Sequence, residues 1–310
     1  MTPYGSSRPK VVVLAGPTGV GKTSLAISLA VKFGAEIISA DSMQVYRYLD
    51  IGTAKPSSSE REKAVHHLID LLDPDQEFDV AAYLARARPL INELHERRVP
   101  ILVVGGTGFY VRSLIRGLFK GPGSDAVIRA RLKQEARDSS KEDLHDRLAQ
   151  VDPETAARLH PHDLFRVIRA LEVFELTGRT ISSFHTEHGL AEKPYQVLLC
   201  ALTLPCEELY GRIEARTRRM FEAGLVEEVQ SLLKRGYTPD LKPLKSIGYK
   251  QVVDFLTGTI SLDQARVEMT RMTRRYAKRQ MTWLRSQPDI FRISYDRKNE
   301  LKEKVSKFWE

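Results

Sequence analysis

A glycine-rich motif near the start of the chain limits its possible folds more than any other feature. Residues 16–23 read GPTGVGKT, a full G-x-x-x-x-G-K-[ST] motif, and they directly follow the apolar run Val11–Ala15. A buried strand, a phosphate-binding loop (P-loop) and a helix from about Lys22 to Phe33 explain this order of residues. Each residue of the loop is a candidate phosphate contact: Gly16, Pro17, Thr18, Gly19, Val20, Gly21, Lys22 and Thr23.

The chemistry of this loop points to a polyphosphate ligand. Glycines allow several backbone N–H groups to converge on phosphate oxygens, and the helix N-terminus adds a favourable dipole. Lys22 supplies a positive charge, and the hydroxyl of Thr23 can bind Mg²⁺. The motif therefore predicts a bound polyphosphate, but it does not identify that ligand or the reaction.

Strand and helix patterns alternate through the first third of the chain. The apolar segments Ala35–Ala40 and Pro100–Val104 predict further strands, and a helix over Val80–Arg97 precedes the second of them. After a long interval, Tyr195–Leu204 returns to strand character. This alternation predicts an α/β fold with a doubly wound parallel sheet, whose ligands bind at the carboxyl ends of the strands.

The long interval before the last predicted strand is polar and rich in charge. A run of Gly-Pro-Gly-Ser opens it at residues 121–124, and its interior favours several helices. We therefore predict three segments: the first part of the P-loop core (1–120), an inserted helical subdomain (121–193), and the completion of the core with basic helices (194–310). From Glu207 onward the pattern predicts a nearly all-helical chain.

The distribution of charge along the chain indicates the kind of partner that the protein binds. The net charge of +8 is concentrated towards the end of the chain: residues 1–200 carry 26 Lys and Arg against 25 Asp and Glu, and residues 201–310 carry 22 against 15. A local excess of this kind favours a polyanionic partner.

Cys200 and Cys206 have no zinc-binding spacing, so we expect two reduced, buried thiols. The first ten residues lack a signal-peptide pattern and no segment is apolar enough to span a membrane, which predicts a cytoplasmic protein.

Further polar residues follow the second and third predicted strands. Asp41 ends the segment AEIISAD, and the loop Gly105–Gly108 places Thr107 at the same edge of the sheet. Beside a bound diphosphate, Asp41 could join a metal shell or accept a proton, although an Asp before a turn also commonly caps a helix. The third strand carries no Walker-B acid, which argues against hydrolysis of a nucleoside triphosphate.

A basic helix is predicted near the end of the chain. At 100° per residue, six cations of the segment Arg271–Arg285 share one stripe about 140° wide, and no acid interrupts the segment. They are Arg271, Arg274, Arg275, Lys278, Arg279 and Arg285. We interpret the stripe as a surface that contacts a polyanion. A second basic cluster occupies residues 158–169 of the predicted insert, where His160 and His162 lack partners at metal-binding spacing.

Taken together, these motifs resemble one family along nearly the whole chain. GPTGVGKT, ADSMQVYRYLDIGTAKP, HHLID, VVGGTGFY, HPHDLFRVIRALEV, SIGYKQ and RRYAKRQMTWLR occur in the order and spacing of bacterial tRNA dimethylallyltransferases. The P-loop is generic, whereas DIGTAKP, GGTGFY and the YAKRQ-x-TW run are specific in combination. The resemblance implies transfer of a dimethylallyl group from dimethylallyl diphosphate to the exocyclic N6 amine of the adenosine 3′ of the anticodon. It also implies Mg²⁺ as cofactor and the tRNA anticodon stem-loop as partner.

The same resemblance implies roles for individual residues. Lys22, Thr23 and Arg216 stabilise the leaving diphosphate, with Thr23 as the metal ligand. Asp41 accepts the amine proton, and Thr107 contacts the substrate nucleotide. The implied tRNA contacts are Asp41, Ser42, Met43, Gln44 and Thr107 near the reacting base, Arg129, Phe165, Arg166, Val167, Ile168 and Arg169 in the insert, and Arg271, Arg274, Arg275, Lys278 and Arg279 on the basic helix.

Three other classes of protein share part of this pattern. A small-molecule kinase shares the sheet, the P-loop and the acid, but it does not need the one-sided basic helix. An adenylate isopentenyltransferase, which prenylates free AMP, shares the core but does not need the inserted helices. An RNA-binding protein with a vestigial P-loop fits poorly with intact Lys22, Thr23 and Asp41. No extended apolar seam demands a second chain, so we predict a monomer.

Overall fold

The computed structural model describes residues 8–119, 121–138, 140–188 and 193–310. Most of the segment tested for a signal-peptide pattern, residues 1–7 of the first ten, lies outside the described residues. The chain divides into two compact units. The first unit comprises the chain up to Ile115 together with Lys193–Glu310, and the second is Arg116–Glu192.

A six-stranded parallel sheet forms the centre of the first unit. Its strands are β1 (Lys10–Ala15), β2 (Glu36–Ser39), β3 (His66–His67), β4 (Ile101–Gly105), β5 (Gln196–Thr203) and β6 (Phe291–Ser294). They lie in the order β3-β2-β4-β1-β5-β6, so β1 runs between β4 and β5. The predicted α/β fold with a doubly wound parallel sheet is confirmed.

The helices lie between and after these strands. In chain order they are α1 (Lys22–Phe33), α2 (Ser58–Lys63), α3 (Val80–Glu96), α4 (Gly108–Arg116), α5 (Ala126–Asp138), α6 (Lys141–Val151), α7 (Pro153–Arg158), α8 (Leu164–Thr177), α9 (Ile181–His188), α10 (Cys206–Glu222), α11 (Leu225–Lys234), α12 (Tyr249–Leu256), α13 (Leu262–Arg285) and α14 (Lys298–Trp309). Helices α5 to α9 form the second unit. None of the described helices is long and apolar enough to cross a membrane.

Two edge strands depart from the sequence-based prediction. Strand β6 lies in the region predicted to be nearly all helical, and β3 was not predicted at all. Strand β6 pairs with β5 and β3 pairs with β2, both in parallel. With four and two residues, these strands are too short to show a periodic pattern, and their pairing with a neighbouring strand determines their conformation.

Burial on both faces explains the uninterrupted apolar sequence of β1. Val12 and Leu14 belong to a core cluster that includes residues of α1 and α14, such as Leu29 and Leu301. Val13, on the alternate face, is also fully buried, as expected of a central parallel strand. Because all strands are parallel, the loops that follow β1, β2 and β4 meet at one edge of the sheet, and this edge carries the candidate site.

Candidate active site

The P-loop connects β1 to α1 at this edge. Gly19 and Gly21 have φ angles of 83° and 98°, in the left-handed region that glycine adopts without strain. Gly21 is also the N-cap of α1, and no side chain caps the helix, so the N-terminal end of α1 is open to an anion. Lys22 Nζ donates hydrogen bonds to the carbonyl oxygens of Gly16 (2.9 Å) and Pro17 (3.0 Å), which hold the ammonium group inside the loop.

Three charged groups meet beside the loop: Lys22, Asp41 and Arg216. Burial, aided by the positive charge of Arg216 and opposed by the negative charge of Asp41, lowers the pKa of Lys22 to about 8. Burial also lowers the pKa of Arg216 below its usual value, again opposed by Asp41. Both cations are therefore destabilised by burial in the protein alone, and an anionic ligand would stabilise them.

Asp41 lies in the turn that follows β2. Its Oδ1 accepts hydrogen bonds from the backbone N–H groups of Met43 (2.8 Å) and Gln44 (3.3 Å). The capping role considered as the alternative is thus present, but it uses one oxygen, and Oδ2 makes no hydrogen bond within the described residues. The side chain of Gln44 donates to the carbonyl oxygens of Thr53 (3.4 Å) and Ala54 (3.3 Å), which joins the Asp41 turn to the DIGTAKP loop.

A carboxylate that sequence analysis did not single out anchors the DIGTAKP loop. Glu228 on α11 accepts hydrogen bonds from the backbone N–H groups of Asp50 (3.0 Å), Ile51 (2.8 Å) and Gly52 (3.2 Å). The hydroxyl of buried Tyr249 also donates to it (2.5 Å). Glu228 is 178 positions from Asp50, so no local pattern in the sequence could have indicated this contact.

A glutamine of α13 connects the P-loop to the loop after β4. Gln280 Oε1 accepts a hydrogen bond from the backbone N–H of Thr18 (2.8 Å), and its Nε2 donates to the carbonyl oxygen of Gly106 (2.9 Å). Gln280 is buried, and it lies in the YAKRQ-x-TW run without having been assigned a role. The run could therefore have marked Gln280 as a candidate site residue. Its contact with Thr18, however, joins residues that are 262 positions apart in the chain, which no local pattern predicts.

Thr107 lies next to this connection, in the loop after β4. Its hydroxyl oxygen is buried and lies beside the hydroxyl of Tyr276. On α13, burial and the negative charge of Asp41 raise the pKa of Tyr276 to about 12, so its hydroxyl stays protonated at neutral pH. The structure therefore brings Lys22, Asp41, Thr107 and Arg216 to one edge of the sheet, with Tyr276 beside them.

The six cations of the basic stripe of α13 lie in three different surroundings. Arg279 lies beside Tyr276, with its guanidinium 5.6 Å from the centre of the ring. Four other members line a groove of about 740 Å³ between α10 and α13: Arg271, Arg274, Arg275 and Lys278. Arg285 ends the helix and is exposed.

Although the segment Arg271–Arg285 contains no acid, two cations of its basic stripe form ion pairs with acids elsewhere in the chain. Arg271 forms an ion pair with Glu268 (2.7 Å), and Arg274 forms one with Glu214 on α10 (2.9 Å). Both acids lie outside the segment Arg271–Arg285. The stripe as predicted therefore overstates the positive charge that is free to bind a polyanion.

In the second unit, two predicted tRNA contacts belong to an internal ion cluster. Glu172 is fully buried and pairs with Arg129 (2.8 Å) and Arg169 (2.6 Å). Burial alone would raise the pKa of Glu172, but hydrogen bonds from Arg169, the Asp125 amide and Arg129 lower it below the usual range. Arg169 also donates to the carbonyl oxygens of Pro122 (2.7 Å) and Gly123 (3.0 Å). Both arginines thus have a structural explanation.

The rest of the predicted set in α8 is split between core and surface. Val167 and Ile168 are buried in the hydrophobic core of the second unit, so their side chains are not available to RNA. Phe165 is 79% exposed, and the Arg166 side chain is exposed and pairs only with Asp163 (2.7 Å) among the described residues. Of the α8 side chains predicted to contact tRNA, those of Phe165 and Arg166 are the exposed ones.

The cysteine prediction holds for one of the two thiols. Both cysteines are free, and Cys200 is buried in β5, where burial raises the pKa of its thiol to about 12. Cys206 is exposed, which corrects the expectation that it is buried. It begins α10 just after the strand, where the chain leaves the core.

The fold and the site define a P-loop protein of the α/β class, with two cations and a carboxylate gathered at the loop. Comparison with known families gives a more specific result. The sequence model of the family described as IPP transferase matches residues 44–287, and that described as isopentenyl transferase matches residues 9–72. The chain belongs to the IPP transferase family.

The bacterial relatives below are similar to this chain over almost their whole length. A tRNA dimethylallyltransferase of Geobacter sulfurreducens is 50% identical over 289 residues, which cover 93% of each chain. Another, from Desulfosudis oleivorans, is 49% identical and covers 94% of this chain and 92% of its own. The crystal structure of the full-length tRNA isopentenylpyrophosphate transferase of Bacillus halodurans has a TM-score of 0.73 at 38% identity, with 97% of both chains covered. A eukaryotic dimethylallyltransferase acting on tRNA has a TM-score of 0.81 at 30% identity and covers 96% of this chain and 78% of its own.

Proposed function

We propose that this chain is a tRNA dimethylallyltransferase. It transfers the dimethylallyl group of dimethylallyl diphosphate to the exocyclic N6 amine of the adenosine 3′ of the anticodon, and it releases diphosphate. The observation that carries this proposal is the group of Lys22, Arg216 and Asp41 at the P-loop of an IPP transferase family member. The two cations suit a diphosphate leaving group, and the carboxylate suits an amine that must lose a proton.

Departure of the diphosphate is the step that the P-loop assists. The bond between C1 of the dimethylallyl group and the diphosphate oxygen breaks, and the diphosphate takes the electron pair. An adenine amine is a poor nucleophile because its lone pair is delocalised into the ring, so the reaction benefits from early departure and allylic cation character at C1. Lys22, Arg216 and the P-loop amides stabilise the negative charge that develops on the leaving group.

Asp41 is the proposed proton acceptor. As N6 forms its new bond to C1, it loses one proton, and the Oδ2 atom of Asp41 has no hydrogen-bond donor among the described residues. The Oδ1 atom is held by two backbone amides, which fixes the orientation of the carboxylate. The buried hydroxyl of Thr107 lies beside the Tyr276 hydroxyl at the same edge of the sheet, where it can contact a polar atom of the substrate nucleotide.

Mg²⁺ suits this site only together with the diphosphate. The described residues contain no group of three His, Cys, Asp or Glu side chains that could hold a metal ion. The hydroxyl of Thr23 at the start of α1 offers one hard oxygen ligand, and Mg²⁺ commonly combines one or two protein oxygens with substrate phosphates. When bound, the ion would neutralise part of the charge on the leaving diphosphate.

A cavity beside Arg216 could accommodate the donor. It has a volume of about 650 Å³ and lies between α10 and residues 50–58. Its lining combines Arg216 and Arg219 with the apolar side chains of Ile51, Pro56 and Met220. A prenyl diphosphate has the same two parts, a charged head and an apolar five-carbon chain, so this lining matches its chemistry.

The tRNA contacts proposed for the reacting base are Ser42, Met43, Gln44 and Thr107, which lie at the edge that carries Asp41. Phe165 and Arg166 are the proposed contacts of the second unit, and Arg279 is the proposed contact beside Tyr276. Because tRNA is the substrate, we place the reaction in the cytoplasm, and we propose that a single chain performs it.

Mass spectrometry of tRNA tests the proposed function. Purified protein is incubated with unmodified tRNA, Mg²⁺ and dimethylallyl diphosphate, without ATP. We expect the mass of one five-carbon group to be added to a single anticodon-loop adenosine, and no gain on a matched tRNA with guanosine at that position. A gain on free AMP alone would instead identify a nucleotide prenyltransferase. No gain on either, together with ATP turnover on a small metabolite, would identify a kinase.

A further inference from the structure

Two motifs of the sequence have no role in the mechanism described above: DIGTAKP (residues 50–56) and SIGYKQ (residues 246–251). The structure brings them together. The DIGTAKP loop contributes Ile51 to the lining of the cavity beside Arg216, and Tyr249 of the second motif is fully buried against the same loop. The contact between the two motifs therefore reaches the cavity that is proposed to hold the donor.

Glu228 of α11 connects the two motifs. Its Oε2 atom accepts hydrogen bonds from the backbone N–H groups of Asp50 (3.0 Å) and Ile51 (2.8 Å). Its Oε1 atom accepts hydrogen bonds from the backbone N–H of Gly52 (3.2 Å) and from the hydroxyl of Tyr249 (2.5 Å). Both carboxylate oxygens therefore hold the backbone on each side of Ile51. We call Glu228 and Tyr249 the clamp.

The ring of Tyr249 also holds the loop by packing. A methyl group added to Gly52 would lie 2.4 Å from a ring carbon of Tyr249, so the close approach of the ring requires glycine at this position. Burial and the negative charge of Glu228 raise the pKa of Tyr249 well above its usual value. The hydroxyl therefore stays protonated and remains a hydrogen-bond donor to Glu228.

A second anchor holds the other end of the DIGTAKP loop. Lys55 is buried, and its Nζ atom donates hydrogen bonds to the carbonyl oxygen of Tyr46 (2.8 Å) and to the carboxylates of Asp50 and Asp70 (2.6 Å each). The loop is thus fixed at its start by the clamp and at its end by Lys55. It therefore forms a preorganised wall of the cavity.

This wall lies where the hydrocarbon part of the donor is expected. Arg216 lines the cavity and lies close to Lys22 of the P-loop, which assigns the diphosphate to that end. Met220 also lines the cavity. It is four residues further along α10, on the same face and about 6 Å along the helix axis, a separation comparable to the length of a dimethylallyl chain. Ile51 and Met220 can therefore contact the part of the donor that inorganic diphosphate lacks.

We propose that Glu228 and Tyr249 are positioning residues that hold Ile51 against the hydrocarbon chain of the donor. The inference rests on the proposed function, because it takes a prenyl diphosphate as the ligand of the cavity. In this role the clamp acts through the DIGTAKP loop and touches no phosphate. Because a preorganised wall lowers the cost of ordering on binding, the clamp determines how much more tightly dimethylallyl diphosphate binds than inorganic diphosphate.

Binding measurements with these two ligands test the clamp. Glu228→Gln keeps the size of the side chain but replaces one acceptor oxygen by an NH₂ group. Tyr249→Phe removes one hydrogen bond and keeps the ring against Gly52. The control is Glu227→Gln, at the exposed neighbouring position of α11. Calorimetry in the presence of Mg²⁺ gives the dissociation constants of dimethylallyl diphosphate and inorganic diphosphate for each full-length variant.

We expect Glu228→Gln to bind dimethylallyl diphosphate about tenfold more weakly than the control, because its amide places a donor against the backbone N–H groups. Tyr249→Phe, which loses one hydrogen bond, should bind it about threefold more weakly. The dissociation constant of inorganic diphosphate should change by less than about twofold in both variants, since the P-loop and Arg216 are unchanged.

Two results would overturn the inference. Equal weakening of both ligands would show that the clamp only supports the fold of the whole site. Glu228→Gln with the same two dissociation constants as Glu227→Gln would show that the clamp does not affect the cavity.

Ile51→Ala tests the wall without changing the clamp. We expect it to weaken binding of dimethylallyl diphosphate about fivefold, through loss of apolar contact, and to leave inorganic diphosphate unaffected. If both dissociation constants are unchanged, the hydrocarbon chain binds elsewhere and the inference fails. Thermal unfolding is measured for every variant, and if Glu228→Gln is unfolded at the assay temperature, Tyr249→Phe and Ile51→Ala provide the comparison.

The same measurements separate this inference from the proposed function. If the unaltered protein binds dimethylallyl diphosphate but does not prenylate tRNA, the proposed reaction fails, and the ratio of the two dissociation constants still decides the role of the clamp. If the unaltered protein prenylates tRNA but the ratio is the same in Glu228→Gln and Glu227→Gln, the inference alone fails.

Discussion

Two basic regions of this chain look alike in sequence and differ in structure. In the second unit, Arg129 and Arg169 surround the fully buried Glu172. On α13, Arg275, Lys278 and Arg279 have no acidic partner within the described residues. The difference comes from acids that are distant in sequence, since Glu172 follows Arg129 by 43 positions. The number of cations in a segment therefore does not determine how many of them can bind RNA.

We expect the largest effect at Lys22, the P-loop cation that is proposed to bind the diphosphate leaving group. Replacing Lys22 by Ala removes a charge from the P-loop, and we expect kcat/KM for dimethylallyl diphosphate to fall about a thousandfold. The dissociation constant for tRNA should change by less than about twofold. Steady-state kinetics and tRNA binding measure the two quantities, and Lys32→Ala on the exposed side of the same helix is the control. A large loss of tRNA affinity would contradict the prediction, because it would show that Lys22 binds tRNA rather than the diphosphate.

The lowered pKa of Lys22 adds a pH dependence to this prediction. Because its pKa is about 8 in the free protein, Lys22 is charged below pH 8 and loses its proton as the pH rises above that value. Affinity for inorganic diphosphate should therefore decrease above pH 8 more steeply for the unaltered protein than for Lys22→Arg, whose charge persists. Parallel pH profiles for the two proteins would contradict the assignment.

In the second unit we expect a loss of stability instead. Glu172→Ala leaves Arg129 and Arg169 without their shared acid, and the free energy of unfolding should fall by about 3 kcal/mol. This value is at the low end for a broken buried pair because both arginines are partly exposed. Denaturant unfolding of the whole chain measures the change, and Glu154→Ala, at an exposed position of α7, is the control.

The charge of Glu172 also predicts how this stability depends on pH. Its pKa is lower in the folded protein than its usual value, so its contribution is present above the unfolded pKa, about 4.3. The contribution is lost as the pH falls from there through the folded pKa. The difference in stability between the unaltered protein and Glu172→Gln should therefore shrink below pH 4. A constant difference over that range would contradict the role of the ion cluster.

Gln280→Leu should have an intermediate effect on activity. The change keeps most of the side-chain volume but leaves the Thr18 N–H and the Gly106 carbonyl without their partner, at a cost of about 1–3 kcal/mol for each buried group. Since these groups belong to the P-loop and the Thr107 loop, we expect kcat/KM to fall about tenfold. Thr282→Ala, an exposed position on the same helix, should have little effect. Equal kinetics for the two variants would remove Gln280 from the site.

We expect the smallest effect on tRNA binding at Arg166, which can be compared with Arg129 in the same unit. Arg166→Gln should weaken tRNA binding about threefold without changing stability, because Arg166 is exposed. Arg129→Gln should lower the thermal midpoint and leave tRNA affinity of the folded protein nearly unchanged. Binding assays below the melting temperature separate the two outcomes. A loss of affinity in Arg129→Gln at unchanged stability would restore its predicted role as an RNA contact.

Much of the first unit follows from local sequence signals. The P-loop, β1 and α1 combine a turn of fixed spacing with apolar runs, and the predicted helix Lys22–Phe33 is the observed one. Strand β6 was missed because four residues show no periodicity and its pairing partner, β5, lies about 90 positions earlier. Helix–strand alternation therefore predicted the sheet, whereas its edges depended on distant pairing.

The candidate site was predictable only where its residues lie in motifs. Lys22, Asp41 and Thr107 follow β1, β2 and β4, which are neighbouring strands of the sheet, so the parallel sheet alone brings them to one edge. Glu228 and Gln280 support this edge through contacts with residues far away in the chain, and neither contact has a local signature. The same limitation explains why Arg129 and Arg169 were predicted as RNA contacts.

The central claim is that the P-loop holds the diphosphate of a prenyl donor rather than a nucleoside triphosphate that is hydrolysed. A single-turnover reaction with labelled dimethylallyl diphosphate, tRNA and Mg²⁺, without ATP, tests this claim most directly. We predict equal amounts of prenylated adenosine and released diphosphate, and a matching loss of both in Lys22→Ala. A reaction that requires ATP hydrolysis, or prenylation that proceeds at the normal rate in Lys22→Ala, would contradict the claim.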